Sequence, residues 1–114
     1  MPYLKLETNQ TLSPESCQQL LKNLSQSVAQ ILGKPEDYVM IGIEASKPMF
    51  FAGNSQPTAF IELKSLGLPE AQTTSFSKAL CEHIEAQMGI KADRIYIEFS
   101  GPARHMWGWN GKTF

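Results

Sequence analysis

Pro2 is the residue of this sequence best placed to do chemistry, because it stands between Met1 and a segment of alternating apolar and polar residues, 3–8. That alternation predicts a β-strand. Aminopeptidases generally remove an initiator methionine that precedes a small residue, which would leave Pro2 with a free secondary amine anchored to the strand. An α-amino group has a pKa near ~8, and burial lowers the pKa of a cation, so this amine could act as a neutral base at physiological pH.

The same kinds of residue also have purely structural interpretations, which the sequence leaves open. Proline lacks a backbone N–H and is tolerated at the first position of a strand, so Pro2 could simply begin one. Lys34 follows Gly33, a glycine typical of a helix C-terminus, where a cation is stabilised by the helix dipole alone. Trp109 and Phe114 could anchor the tail by burying area and do nothing more.

The elements that must position these residues follow from the hydrophobic periodicity. Ser13, followed by a proline and a glutamate, is typical of a helix start, and apolar residues then recur at steps of three and four as far as Leu32. A second apolar stripe predicts a helix from Glu70 until Gly89 ends it. Further strands are predicted over residues 38–44, 58–64 and 94–99, with a short edge strand at 49–51.

The two halves of the chain, about 2–46 and 58–100, resemble each other within one domain that spans residues 1–114. A shift of 56 residues superposes Gly33 on Gly89. Each half is a β-α-β unit, and such crossovers place both helices on one face of a four-stranded sheet. The predicted fold class is therefore α/β (α+β), a β-α-β-β-α-β repeat with a mixed sheet.

The strands at 38–44 and 94–99 are apolar almost without alternation, which indicates burial on both faces of the sheet. Two helices cover only one of those faces. We therefore expect other copies of the chain to cover the second face. Folding of the tail, residues 101–114, across that face is the alternative.

The composition argues against several classes of function. Ten basic and eleven acidic residues give a net charge of −1 without a basic stripe, so nucleic acid is not expected as a partner. No apolar run approaches the ~20 residues that span a bilayer, and no secretory signal is recognised. We expect no membrane partner and a cytoplasmic location, with unconventional export left open. The two cysteines and two histidines lack metal-ligand spacing, and no metal or other cofactor is expected.

Several motifs together resemble the macrophage migration inhibitory factor family of the tautomerase superfamily, over the whole length of the chain. The motifs are Met1-Pro2, Gly33-Lys34-Pro35-Glu36-Asp37-Tyr38, Ser65-Leu66-Gly67, Asp93-Arg94-Ile95-Tyr96-Ile97, Gly108-Trp109-Asn110 and Thr113-Phe114. No single motif is specific, but their order and spacing are. The resemblance implies a homotrimer of β-α-β-β-α-β subunits, with an active site at each subunit interface.

The resemblance also implies an activity, the keto–enol tautomerisation of phenylpyruvate and hydroxyphenylpyruvate, with Pro2 as general base. On this chain Lys34 would hold the substrate carboxylate. The backbone N–H of Leu66 would assist with the oxygen atoms, with Ser65 beside it in the pocket. Tyr96 would line the pocket from the neighbouring subunit. The aromatic ring of the substrate would be enclosed by Tyr38, Trp109 and Phe114.

The chain departs from the family pattern in several places, one of them Leu66, which stands where the cytokine has an Ile and is a tolerable replacement for a backbone contact. The fourth strand carries Glu98 where the vertebrate cytokine has an Asn; this carboxylate would repel an anionic substrate and raise the pKa of a protonated Pro2, so we expect low activity or an altered substrate preference. Residues 58–61 replace the cytokine's Cys-x-x-Cys, so thiol–disulfide oxidoreductase activity is not expected. The alternatives are a cytokine-like or other protein-binding module with a vestigial pocket, and a relative acting on another small acid, such as a dehalogenase or hydratase.

Overall fold

The computed structural model describes all residues, 1–114. Its elements in chain order are the strand β1 (Pro2–Thr8), the helix α1 (Pro14–Leu32), the strands β2 (Met40–Glu44) and β3 (Ala59–Ser65), the helix α2 (Thr73–Met88), and the strands β4 (Ile95–Ser100), β5 (Gly108–Trp109) and β6 (Lys112–Thr113). The predicted class, two helices with a four-stranded mixed sheet, is confirmed. Neither helix combines the length and the apolar character that crossing a membrane requires.

The sheet places the beginning of the chain at its centre. Its strand order is β2-β1-β3-β4, with β1 parallel to β2, β3 parallel to β4, and β1 antiparallel to β3. The register between β1 and β3 runs from Pro2 opposite Ser65 to Thr8 opposite Ala59. Pro2 therefore lies at one end of a central strand, which is held between two neighbours and does not fray as chain termini usually do.

Both helices pack on the same face of the sheet. Residues i and i+2 of a strand share a face, so alternate residues of the two central strands turn towards the helices. The buried cluster contains Leu20, Leu24 and Val28 of α1, Leu80 and Ile84 of α2, and Leu4, Leu6, Ile61 and Leu63 of β1 and β3. The predicted placement of the helices on one face is confirmed.

The ends of α1 lie where the sequence predicts them. The Ser13 hydroxyl accepts a hydrogen bond from the backbone N–H of Ser16 at 3.1 Å and caps the N-terminus. Gly33 ends the helix in the left-handed region, with φ 63°, which glycine adopts without a steric penalty. The N–H of Lys34 then donates to the carbonyl of Ala29 at 3.0 Å. This turn leaves Lys34 close enough to the amino terminus for its charge to lower the pKa of the Met1 ammonium group.

The second face of the sheet is open in the single chain and carries charged side chains, among them Lys5, Glu7 and Lys47. Met40 and Tyr96 point to this face and are 65% and 62% exposed, and the tail does not cover them. The sequence looks continuously apolar because apolar residues occupy these outward positions too. Nearby, the Glu7 carboxylate lies 2.7 Å from the Nζ of Lys47 and 3.2 Å from that of Lys5. Hydrogen bonding to Lys47, and then to Lys5, holds the pKa of Glu7 below its usual range.

Two local predictions differ from the structure. Residues 49–51 form no strand, because the chain turns at once and Phe51 makes only an isolated bridge with Asn54. The tail, in which no strand was predicted, forms the β5–β6 hairpin. Its two connecting residues, Asn110 and Gly111, have φ values of 53° and 77°, as a type I′ turn requires.

His83 lies between the two helices and gives the fold a pH dependence. Its Nδ1 is 3.2 Å from the hydroxyl of Ser27 on α1, whereas its buried Nε2 has no hydrogen-bond partner. Burial lowers the pKa of His83 below its ordinary value of 6.5, so the unfolded chain takes up the proton first as the pH falls. We expect the free energy of unfolding to decline as the pH is lowered through about 6.5 towards the folded-state pKa.

Urea titrations at a fixed protein concentration, at pH values from about 7.5 to about 5, measure this decline. The His83→Gln variant should show a flatter dependence of unfolding free energy on pH. His105→Gln removes an exposed histidine and should follow the wild type. Equal slopes for His83→Gln and the wild type would contradict the role of His83.

Candidate active site

The amino-terminal end of β1 opens into a cleft of about 520 Å³ that also contacts the segment before β2 and the tail. The side chains that line it are mostly apolar or aromatic. They include Pro2, Tyr3, Tyr38, Lys64, Trp107 and Trp109. A concave, largely apolar surface with a few polar groups is typical of a site for a small molecule.

The chain places its terminal amine at this cleft. Burial, and secondly the charge of Lys34, lower the pKa of the Met1 ammonium group below its ordinary value of 8.0. The side chain of Pro2 is fully buried, so removal of Met1 would move the amine one residue deeper. Burial and a neighbouring cation both disfavour the charged form of an amine, so an amine at this position is favoured in its neutral, basic form.

Aromatic side chains form one wall of the cleft. The rings of Tyr38 and Trp109 meet edge to face with their centroids 6.1 Å apart, and Trp109 stacks on Phe114 at 6.1 Å. The β5–β6 hairpin carries Trp109, and the N–H of Phe114 donates to the carbonyl of Trp107 at 3.2 Å, which closes the tail on itself. The structure thus brings together the three residues predicted to enclose an aromatic ring.

Ser65, the last residue of β3, lies opposite Pro2 but does not line the open cleft. Ser65 pairs with Pro2 across the ladder, and both Ser65 and Leu66 are buried. The Ser65 hydroxyl donates to the carbonyl of Leu66 at 3.4 Å, and Gly67, with φ 63°, turns the chain away. Among the predicted site residues, Pro2, Tyr38 and Trp109 line the cleft itself.

Tyr96 and Glu98 lie far from Pro2 within one chain. Tyr96 is paired with Phe60, which is paired with Glu7, so it is five residues along the ladder and two strands across from Pro2. At ~3.3 Å per residue and ~4.8 Å per strand, the separation is roughly 19 Å for Tyr96 and, by the same reckoning, roughly 14 Å for Glu98. Only a second copy of the chain could bring these two residues to the cleft.

The whole chain, residues 1–114, matches the family model described as macrophage migration inhibitory factor (MIF). The chain belongs to the MIF family. It is 38% identical to the macrophage migration inhibitory factor of Meriones unguiculatus over 117 residues, which cover 100% of this chain and 99% of that relative.

Solved MIF structures share the fold over nearly the full length. The MIF homologue from Prochlorococcus marinus is 42% identical, with a TM-score of 0.91 over 98% of both chains. The MIF of Trichinella spiralis is 32% identical, with a TM-score of 0.90 over 98% of this chain and 99% of that one. The family resemblance seen in the sequence motifs is therefore confirmed.

The segment that replaces the cytokine's Cys-x-x-Cys serves packing in this MIF-family chain. The hydroxyl of Thr58, at the position of the first cysteine, donates a hydrogen bond to the carbonyl of Arg94 at 2.7 Å. Ile61, at the position of the second cysteine, is fully buried in the core. Thr58 thus links the chain before β3 to the chain before β4, and Ile61 packs β3 into the core.

Sequence reasoning missed several residues of the cleft in this MIF-family chain, among them Tyr3, Lys64 and Trp107. Strand alternation identifies Lys64 as pointing away from the helices, but only the register places it opposite Tyr3 and next to Pro2. Trp107 offered a usable signal, because it stands two residues before Trp109 and residues at that spacing share a face in an extended segment.

Proposed function

We propose that this MIF-family chain is a keto–enol tautomerase for phenylpyruvate and hydroxyphenylpyruvate, with the amine of Pro2 as general base. The observation that carries the proposal is the terminal amine at an aromatic cleft, where burial and Lys34 lower the pKa of the Met1 ammonium group. Abstraction of a proton next to a carbonyl needs a positioned base that is neutral near the working pH. The aromatic wall suits the ring of an aryl keto acid.

In the proposed reaction, Pro2 takes a proton from the carbon next to the keto group, and a proton is delivered to the enolate oxygen. In the reverse reaction, the enol oxygen loses its proton and Pro2 returns a proton to the carbon. Lys34 holds the carboxylate, for which an ammonium is a suitable point charge. The N–H of Leu66, beside Ser65, donates to the oxygen on which charge develops. The ring is enclosed by Tyr38, Trp109 and Phe114.

The proposed active unit is a homotrimer with its sites at the subunit interfaces. The family resemblance implies this assembly, and one chain alone keeps Tyr96 and Glu98 roughly 14–19 Å from the base. Exposed Met40 and Tyr96 provide apolar surface of the kind that an interface buries. In the trimer, Tyr96 lines the pocket of a neighbour, and Glu98 moderates the rate by repelling an anionic substrate.

The decay of the enol form of phenylpyruvate tests the proposal, with protein whose intact mass shows that Met1 is absent. We expect turnover by this processed protein. Protein that retains Met1 should be inactive, because the Pro2 nitrogen is then an amide without a basic lone pair. A processed protein that turns over neither phenylpyruvate nor hydroxyphenylpyruvate would contradict the proposal and favour the protein-binding alternative.

The pH dependence of kcat/KM should report the amine. We expect kcat/KM to rise with pH to a plateau, with an apparent pKa below the ordinary ~8 of an α-amino group, because only the neutral amine is a base. Lys34 lowers the pKa of the Met1 ammonium group, and we expect the same effect on the Pro2 amine of the processed chain. Lys34→Met removes this charge, so the rise of kcat/KM should shift to higher pH. Lys22→Met, an exposed lysine on α1, is the matched control. A Lys34→Met profile that does not shift would exclude this effect of Lys34.

A further inference from the structure

Lys64 is a cation in the cleft that the proposed reaction does not use. It lies in β3 opposite Tyr3, next to the Pro2–Ser65 pair, and lines the cleft together with Pro2. Because successive residues of a strand point to opposite faces, Lys64 and Tyr3 lie on the open face, whereas Pro2 and Ser65 lie on the helix face. Lys64 therefore approaches the cleft from the side opposite to α1 and Lys34.

Lys64 differs from two other lysines of the open face in having no carboxylate partner. Lys5 and Lys47 both contact the Glu7 carboxylate, at 3.2 and 2.7 Å, whereas no acidic oxygen of the same chain lies within 4.0 Å of the Lys64 Nζ. Asp37, the acidic residue that lines the cleft, is exposed and forms no ion pair. A lysine that lines a largely apolar and aromatic cleft without a counter-ion favours an anionic ligand.

We propose that the cleft takes keto acids that carry a second carboxylate, with Lys34 at the 2-oxo carboxylate and Lys64 at the second one. This inference rests on the proposed tautomerase function, in which Lys34 holds the first carboxylate beside Pro2. The two cations flank the strand end from opposite faces, so a ligand that spans Pro2 meets a positive charge at each end. A substrate with a neutral ring would leave Lys64 unpaired.

Two substrates that differ only in the second charge test the inference, the enol forms of phenylpyruvate and of 4-carboxyphenylpyruvate. We expect wild-type protein to prefer the dicarboxylate in kcat/KM by about tenfold, a ratio that one charge-assisted contact can supply. Lys64→Gln should bring the kcat/KM values of the two substrates to within about twofold of each other, because the second carboxylate then has no cation to contact. Lys91→Gln removes the same charge from an exposed position outside the cleft and should behave like wild type.

Binding of unreactive acids separates this inference from the tautomerase proposal. Calorimetric titration with 3-phenylpropanoate and 4-(2-carboxyethyl)benzoate needs no turnover, and the Kd of the dicarboxylate should rise about tenfold in folded Lys64→Gln. Equal affinity of wild type for the two acids, or an equal loss of both in Lys64→Gln, overturns the assignment of Lys64 even where phenylpyruvate is turned over. A dicarboxylate preference in binding without any turnover supports Lys64 and defeats the tautomerase proposal alone.

Discussion

The Pro2→Ala variant is expected to convert the enol form of phenylpyruvate with a kcat at least about 100-fold below that of the wild type. A positioned general base contributes ~10²–10⁴-fold to such a reaction. Alanine keeps an amine at the processed terminus, but it lacks the ring that fixes φ and fills the fully buried position at the end of β1. The amine is then no longer held against the cleft.

A second variant removes the base without changing any side chain. One alanine inserted between Met1 and Pro2 turns the Pro2 nitrogen into an amide, and we expect the same loss of kcat. Pro14→Ala, at the exposed start of α1, is the control and should keep its activity. Intact mass and urea unfolding establish that the terminus is as designed and the fold is retained. Wild-type turnover in the extended variant would exclude the amine as the base.

Mixing two variants of reduced activity should raise the activity above that of either one if each site is shared between subunits. Tyr96→Ala is expected to lower kcat/KM about tenfold or more by opening the pocket wall. In an equal mixture of Pro2→Ala and Tyr96→Ala chains that assemble at random, about a quarter of the sites combine an intact Pro2 with an intact Tyr96 from a neighbour. Co-refolding the two variants should therefore recover about a quarter of the wild-type activity.

The control for this experiment is a mixture in which no complete site can form. Pro2→Ala chains mixed with the double variant Pro2→Ala, Tyr96→Ala contain no intact Pro2, so they should show no recovery. Native mass spectrometry verifies that mixed assemblies are present. Mixed assemblies of the two single variants that stay inactive would show that Tyr96 does not act across an interface with Pro2.

The local signals in the sequence predicted the fold well because each depends on neighbouring residues. The Ser13 cap, the Gly33 stop and the apolar stripe between them are determined within one helix. The strand register is different, because it depends on which strands pair. Lys64 could therefore not be placed beside Pro2 until the pairing was known. The tail hairpin carried a local signal, Asn110-Gly111, that predicts a two-residue turn between short strands.

The candidate site was predicted through family resemblance more than through physical pattern. Periodicity places Tyr96 in a strand, but nothing in the spacing of residues assigns it to the pocket of a neighbour. The sequence pattern also fails to place Met40 and Tyr96, at outward positions of β2 and β4. Both look like core residues in a one-dimensional pattern, although both are exposed in the single chain. Their exposure appears only when the four strands are assembled.

Both ends of the chain lie close to the same cleft, because Met1 lines it and Phe114 stacks on Trp109, which also lines it. An affinity tag at the amino end would acylate the nitrogen that Pro2 needs, and a fusion partner at the carboxyl end would crowd the ring of Phe114. The exposed residues 91–93 precede β4, whose first residue belongs to the sheet end opposite Pro2. A fluorophore or epitope inserted there leaves both termini native.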